Sequence, residues 1–472
     1  MFEQIDLDEA AGRKWDVIVA GTGFAAMFFS KALPPGLDVL FIEKGAIQSH
    51  EDQLAHGTYY PEEIDQENTS GLKKDWIAHT LFGGNSNCWW GQTPRLHPND
   101  FRLQSLYGVG EDWPLSYDEL EPHYIEAERV MEIAGGGNEH ILPRSAPYPY
   151  PPHSPTLAEA AFHKARPDIW FPVPAARANG GSRNTCCANG VCDLCPIDAK
   201  FTILNGLSAF ERRGARLLMK TEVHSVRIEN GRARGVVVRS GFGRITELRA
   251  EVIALGTNAL FNAAILLRSD IGSAALGRYI NEQIAREFFV DIPIENYYGG
   301  TSVTGHCYGL YDGAHRRENG AVLIESYNSP PKLRPEPGKW TYRLHLKCIA
   351  EDLPLAENRV VLTSAGEPRI LWTGHSEYGR KGLDFALQNL ASILPVNIEA
   401  LYHYRQGETE AHIQGTHRMG TDPATSVVDA RLRSHAAPNL FVLGAGAFPS
   451  CSPANPTLTL SALSLLAGGT LQ

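Results

Sequence analysis

Residues 15–33 read WDVIVAGTGFAAMFFSKAL. WDVIVAG is an apolar run with β-branched residues, the pattern of a strand buried on both faces of a parallel sheet. It passes directly into GTGFAAMFFSKAL, which reads as a helix. DVLFIEKG follows as a second strand carrying Glu43 near its end. Gly21, Gly23 and Ala26 fit the spacing G-x-G-x-x-G/A. Gly21 permits a tight turn, Gly23 lets the backbone approach a pyrophosphate at the helix N-terminus, and Ala26 keeps helix and sheet close. Phe24, at the helix start, belongs with the same contacts. Glu43 stands about 20 residues on, where an acid binds ribose hydroxyls. A glycine triplet alone is a weak signal and also occurs in βαβ turns without ligand. Strand, turn, helix, strand and acid in order make a strong one.

The rest of the 472 residues set limits. With 43% hydrophobic and 20% charged residues, the chain can bury a sizeable core. A net charge of -10 argues against nucleic acid as a main partner, since phosphate binding needs a concentrated basic surface. No run approaches the roughly 18 apolar residues of a membrane span. The start, MFEQIDLDEAAGRK, has no basic region before an apolar run. A cytoplasmic location is therefore expected, where thiols stay reduced.

Two further stretches separate FAD from NAD. They are LFGGNSNCWWGQTPRL (81–96) and AHIQGTHRMGTDPATSVVDARLRSHAAPNLFVLGAGAFPSCSPANPTLTLSAL (411–463). Together with the N-terminal fingerprint and residues 183–202, they resemble the glucose–methanol–choline (GMC) family of FAD oxidoreductases. The resemblance implies a loop along the flavin at Gly83, Gly84, Asn87 and Cys88, and a Gly/Ser/Asn loop has the backbone freedom for that. In the pyranose-oxidase branch, which is the most similar, a histidine tethered to flavin holds the place of Cys88. Non-covalent FAD is therefore expected, with Cys88 a small packed residue. Gly444 and Ala445 stand where the family contacts the diphosphate, and Val223 where it reads adenine through the main chain. GRYINEQ (277–283) looks like a family stretch near the domain crossing. Residues from about 285 to 400 match nothing in the family's pattern.

Oxidising a CH–OH group needs a base for the hydroxyl proton and an acceptor for the hydride. Histidine suits the first task and flavin N5 the second. The resemblance gives the base role to His412, three residues before Gly415, and leaves His417 out. Asn455 corresponds to the second member of the family's pair and would orient the substrate oxygen. Thr457 offers its backbone to the flavin pyrimidine edge. A random histidine among 17 would be a surface or satisfied core residue, and only its motif raises His412 above that.

NTCCANGVCDLCPIDAK (184–200) holds four of the eight cysteines. Adjacent cysteines rarely bridge each other, and structural zinc favours two separated Cys-x-x-Cys pairs. The segment is similar to one in bacterial FAD glucose dehydrogenases of the same family. That similarity implies a [3Fe–4S] cluster on Cys186, Cys187 and Cys192, with Cys195 beside it. The competing reading is four reduced thiols packing a loop.

The expected fold is α/β. A Rossmann-like FAD-binding domain is assembled from residues 1–140, 200–285 and 400–472. Residues 141–199 and 286–399 form an α+β substrate region with an antiparallel sheet. PYPYPPHSPT (147–156) reads as a Pro-rich linker or surface loop. The expected activity is oxidation of a sugar, glycoside or polyol, feeding electrons to oxygen, a quinone or a partner protein. A lyase holding FAD only structurally, an oxygen-using oxidase and an electron-transfer subunit with a vestigial flavin site are the alternatives.

Overall fold

The computed structural model describes residues 2–57, 61–328 and 332–471. Its main sheet runs in the order Glu3–Gln4, Arg216–Leu218, Val39–Ile42, Lys14–Ala20, Ile245–Leu255, Ala437–Val442 and Arg433–Ser434. The inner pairs are parallel, so the strands need apolar residues on both faces. Val17, Ile18, Val19 and Ala20 are accordingly all buried. An antiparallel hairpin, Thr221–Glu229 and Arg232–Ser240, extends from strand Ile245–Leu255.

Helix Phe24–Ala32 covers this sheet and packs against the C-terminal helix Thr457–Gly468. The two approach so closely at Gly468 that a Cβ there would stand 2.3 Å from the Phe29 carbonyl oxygen. The C-terminal helix is apolar all round because helix Tyr117–Val130 covers it on another side.

A second sheet is antiparallel throughout. Its order is Ala400–Gly407, Ile284–Asp291, Arg343–Ala350, Val322–Tyr327, Val303–Leu310 and Trp170–Pro172. One face carries Phe288, Val290, Val322, Ile324, Leu344 and Leu346, packed under helix Glu377–Ile393. By the period-two alternation of a strand, the other face carries Glu287, Glu325, His345 and Lys347. That face looks onto a cavity. Strand Ala400–Gly407, expected with the FAD-binding segments, belongs to this sheet instead. The chain returning from helix Glu377–Ile393 is delivered to the sheet's edge and pairs there with Ile284–Asp291.

The proline-rich 147–156 segment is not a loose linker. Tyr148 and His153 are buried, and the His153 ring bonds the Arg177 carbonyl at 2.9 Å. Thr156 closes the segment by capping helix Leu157–Ala165. Among the described residues no helix is long and apolar enough to cross a membrane.

Candidate active site

The cavity between the two sheets has a volume of about 920 Å³, within the size of small-molecule sites. Its two ends are built differently.

One end is made of turns. Gly21 has φ +87°, and a Cβ there would lie 2.7 Å from the Gly256 carbonyl oxygen. Gly23 begins helix Phe24–Ala32, whose free N–H groups face the cavity and favour an anion. Thr22 Oγ1 donates to Glu43 Oε2 at 2.6 Å and itself accepts from the Gly83 N–H at 3.0 Å. The Gly45 N–H holds Glu43 Oε1 at 2.7 Å. Burial raises the pKa of this carboxyl although those donors oppose the rise. Gly21, Gly23, Phe24, Glu43, Gly84, Cys88, Val223, Gly444 and Ala445 all line the cavity. Three other residues expected here stand behind the wall. Ala26 packs against Gly256. Gly83 turns the loop at φ +89°, and Asn87 pins it by donating to the Phe82 and Gly84 carbonyls. Burial pushes the Cys88 thiol up to about 11, so it stays protonated and is a weak nucleophile.

The middle of the cavity brings His412, Asn455 and Thr457 together. Asn455 Nδ2 lies 3.4 Å from His412 Nε2. His412 Nδ1 lies 3.1 Å from Gln283 Oε1, while Gln283 Nε2 donates to the Ser452 and Ala454 carbonyls at 2.7 and 3.2 Å. Those two carbonyls fix the amide orientation. Oε1 can only accept, so the imidazole proton sits on Nδ1 and the unprotonated Nε2 accepts a long hydrogen bond from Asn455 Nδ2. Burial, with the Lys347 and Lys74 ammoniums, lowers the His412 pKa to about 3, and the ring is neutral near pH 7. Asn455 Oδ1 is buried with no hydrogen-bond partner. His417 lies outside this group, under the Gly444–Gly446 turn, where a Cβ on Gly446 would meet its Cε1 at 1.9 Å.

The other end is made of charged side chains that sequence reasoning missed. Glu287, Glu325, Tyr327, His345, Lys347, Tyr404, Arg405 and Glu410 line it. Glu287 binds His345 Nε2 and Arg405, each at 2.7 Å. Burial would raise its pKa, but His345, Lys347 and Arg405 bring it down to about 2. Lys347 pairs with Glu410 at 2.5 Å. Glu325, His345 and Lys347 interrupt otherwise apolar strands, VLIESY and RLHLKCIA, and that interruption was the available signal. Gln283 lay within the quoted GRYINEQ stretch, but nothing local marked it.

The structure does not gather Cys186, Cys187 and Cys192. Among the described residues no group of three His, Cys, Asp or Glu side chains could hold a metal ion. Cys186 Sγ contacts Thr301 Oγ1 at 3.5 Å and buried Cys192 donates to Ser302 Oγ at 3.3 Å, whereas Cys187 faces solvent. Two thiols are taken up by hydroxyls and the third points away, so the [3Fe–4S] expectation does not fit this arrangement. Nearby, Lys200 Nζ is buried on the carbonyls of Asn87, Cys192 and Asp193 and joins the cysteine segment to the loop at Cys88.

Residues 367–464 match the family model "GMC oxidoreductase". Fructose dehydrogenase large subunit of Gluconobacter japonicus is 26% identical over 96% of this chain and 96% of its own length. Paromamine 6'-oxidase of Streptomyces fradiae is 28% identical, covering 96% and 90%. Gluconate 2-dehydrogenase flavoprotein of Pantoea cypripedii is 24% identical, covering 96% and 92%. Residues 367–464 thus carry the C-terminal domain of the GMC oxidoreductases. Solved structures agree on the fold: pyridoxine 4-oxidase superposes with a TM-score of 0.67 at 19% identity, covering 96% of this chain and 98% of that one. Formate oxidase gives 0.68 at 13% identity, covering 100% and 98%. The matched family segment supplies His412, Asn455 and the glycine turn, whereas most of the charged end of the cavity comes from outside it.

Proposed function

We propose that this protein is an FAD-dependent oxidoreductase that converts a CH–OH group of a sugar, glycoside or polyol to a carbonyl. The carrying observation is the His412–Asn455 pair, with its tautomer set by Gln283, at the centre of a cavity whose turn-built end suits a dinucleotide. The fit to FAD rests on the free N–H groups at Gly23 and Phe24, the Gly444–Ala445 turn and the Glu43 carboxyl. Bound FAD would supply the hydride acceptor, held without a covalent link. Asn455 Nδ2 would donate to the substrate oxygen and orient it. His412 Nε2 would take the hydroxyl proton. A weakly basic imidazole does not ionise an alcohol in advance, so proton and hydride loss are expected to be concerted. Relatives named for fructose, paromamine and gluconate support the substrate class.

The test is anaerobic mixing of the holoenzyme with sugars and polyols while the visible flavin band is followed. Bleaching is expected with at least one of them. His412→Ala should slow it by about 10²–10⁴-fold with flavin content unchanged. Equal rates in variant and wild type would overturn the assignment of the base. An unbleached flavin alongside cyanohydrin cleavage would favour a lyase.

A further inference from the structure

The strand register lines up one row of residues, all of which except the buried His306 at its end line the cavity. Arg405 pairs with Glu287, Glu287 with Lys347, Lys347 with Glu325, and Glu325 with His306. Along adjacent strands the charges therefore alternate, and direct cross-strand neighbours of opposite sign attract. Glu287 is satisfied by Arg405 and His345. Lys347 is left with two carboxyls, Glu325 beside it in the sheet and Glu410 bonded to it from the segment that leads to His412.

Neither carboxyl is completed. Glu325 is 1% exposed, Tyr327 Oη donates to its Oε2 at 3.3 Å, the Gln92 amide also bears on the carboxyl, and among the described residues its Oε1 makes no hydrogen bond of good geometry. Glu410 is likewise left with a buried, unpartnered Oε1. The nearest basic nitrogen to Glu325 Oε1 is His306 Nε2 at 4.0 Å. Burial and the Arg177 charge keep that ring neutral, with a pKa of about 3, so it cannot balance a carboxylate. Two carboxyls thus share one ammonium on the wall of the cavity that holds the base. Buried charges left without a partner are costly, and a cationic ligand removes the cost.

We propose that this end of the cavity is an ammonium subsite, in which Glu325 and Glu410 receive a protonated amine carried by the sugar-like substrate. An ammonium offers three donors and a positive charge to the two open oxygens, whereas a hydroxyl offers one donor and no charge. Lys347 already bonds Glu410, so an ammonium is accommodated at that carboxyl. Trp90, Tyr327 and Tyr404 line the adjoining wall, and aromatic faces attract cations as well as sugar C–H groups. The inference rests on the oxidoreductase reading and narrows it to amino sugars and aminocyclitols.

Burial lifts the Glu325 pKa to about 7, against the pull of Lys347, and Glu410 raises it further. Around it stand Lys347, Glu410, Tyr327, Gln92 and His306. The carboxyl must be ionised to pair with an amine. Amine binding should therefore strengthen as pH rises through about 7, until the amine itself loses its proton.

The experiment compares matched pairs, glucosamine with glucose and an aminocyclitol with inositol. Binding to the holoenzyme is read from the change in the visible flavin spectrum, alongside the rate of flavin reduction. The amine of each pair should bind at least about tenfold more tightly near pH 7.5, with the preference shrinking at lower pH. Glu325→Gln should reduce the ratio towards one, and Glu410→Gln repeats that test from the opposite wall. Equal or weaker binding of the amines by the wild type overturns the subsite, whatever the variants do. Bleaching by the neutral sugars alone overturns it while leaving the oxidoreductase reading intact. Tight amine binding without bleaching by any alcohol supports the subsite and overturns the oxidoreductase reading.

Discussion

The two ends of the cavity are assembled by opposite means. The glycine-rich end uses backbone: turns at Gly21, Gly83 and Gly444, a helix N-terminus, and one carboxyl at the end of a strand. The charged end uses side chains, contributed by several strands and fixed by the register between them. Backbone sites tolerate almost no change of shape at their turns but are indifferent to many neighbouring side chains. Side-chain sites keep their shape when altered and change what they bind. The first should fail by losing its ligand, the second by losing rate or selectivity.

The sharpest separation is expected from Gly21→Ala. The substitution puts a Cβ at φ +87° and 2.7 Å from the Gly256 carbonyl oxygen. Left-handed backbone and overpacking together should cost ~3 kcal/mol or more. The flavin-to-protein ratio and Tm should both fall. A variant that retains full flavin would mean that the turn is not the binding element, and the comparison would break at its first step.

Gln283→Leu should act in the other way. It removes the acceptor that keeps the proton on His412 Nδ1, and it frees the Ser452 and Ala454 carbonyls. Flavin reduction should slow by roughly 10–100-fold, as for other partners that orient a functional histidine. Flavin content should hold, and kcat should fall more than KM rises. A change in KM alone would show that Gln283 shapes the pocket without positioning the base.

The same contrast explains what could be read in advance. The fingerprint around Gly21 is legible because its strand, turn and helix are consecutive, and each glycine answers a local steric demand. The parallel sheet was foreseeable from such runs, whereas the antiparallel one was expected only through the family resemblance. His412 and Asn455 were reachable through a motif of fixed spacing, and the structure brings them within 3.4 Å. The row from Arg405 to His306 was not reachable. It depends on which residue of each strand faces its neighbour, and a slip of one residue would turn every charge to the other face. The cysteines misled for the same reason: spacing along the chain does not say that Cys187 points to solvent while Cys192 points inward.

A smaller effect should appear on titration. Burial lowers the pKa of His79, His153 and His163 to about 4 and that of His306, His412 and His417 to about 3. Each is depressed below the ordinary 6.5, so the unfolded chain binds protons first as pH falls. Their contribution to stability is full above about 6.5 and is lost progressively between 6.5 and 3. Glu325 runs the other way. Its folded pKa of about 7 is raised, so its contribution is present at low pH and lost as pH rises through 7. Tm should therefore fall below pH 6.5, with Glu325 offsetting part of the fall between about 7 and 4.5, and these groups should leave it level above 7. Glu325→Gln should make the fall below pH 7 steeper and leave the region above pH 7 as it was. A Tm that stays level down to pH 4 would contradict the neutral, buried histidines.

The smallest effect is expected at Cys187. Its side chain is exposed and, among the described residues, builds no metal site with Cys186 or Cys192, so Cys187→Ser should change the unfolding free energy by no more than the roughly ±0.5 kcal/mol typical of surface positions. Cys192→Ser should cost more, because it puts a hydroxyl in the place of a buried thiol facing Ser302. The visible spectrum of anaerobically purified protein decides what this difference means. If wild type and Cys187→Ser show the same flavin bands, the four thiols serve to pack the loop that Lys200 ties to the cavity wall. If the wild type carries an additional broad absorption that Cys187→Ser removes, the segment rearranges around a cluster. The exposed thiol would then have to turn inward past Ala188, the next residue, which already sits at φ +55°.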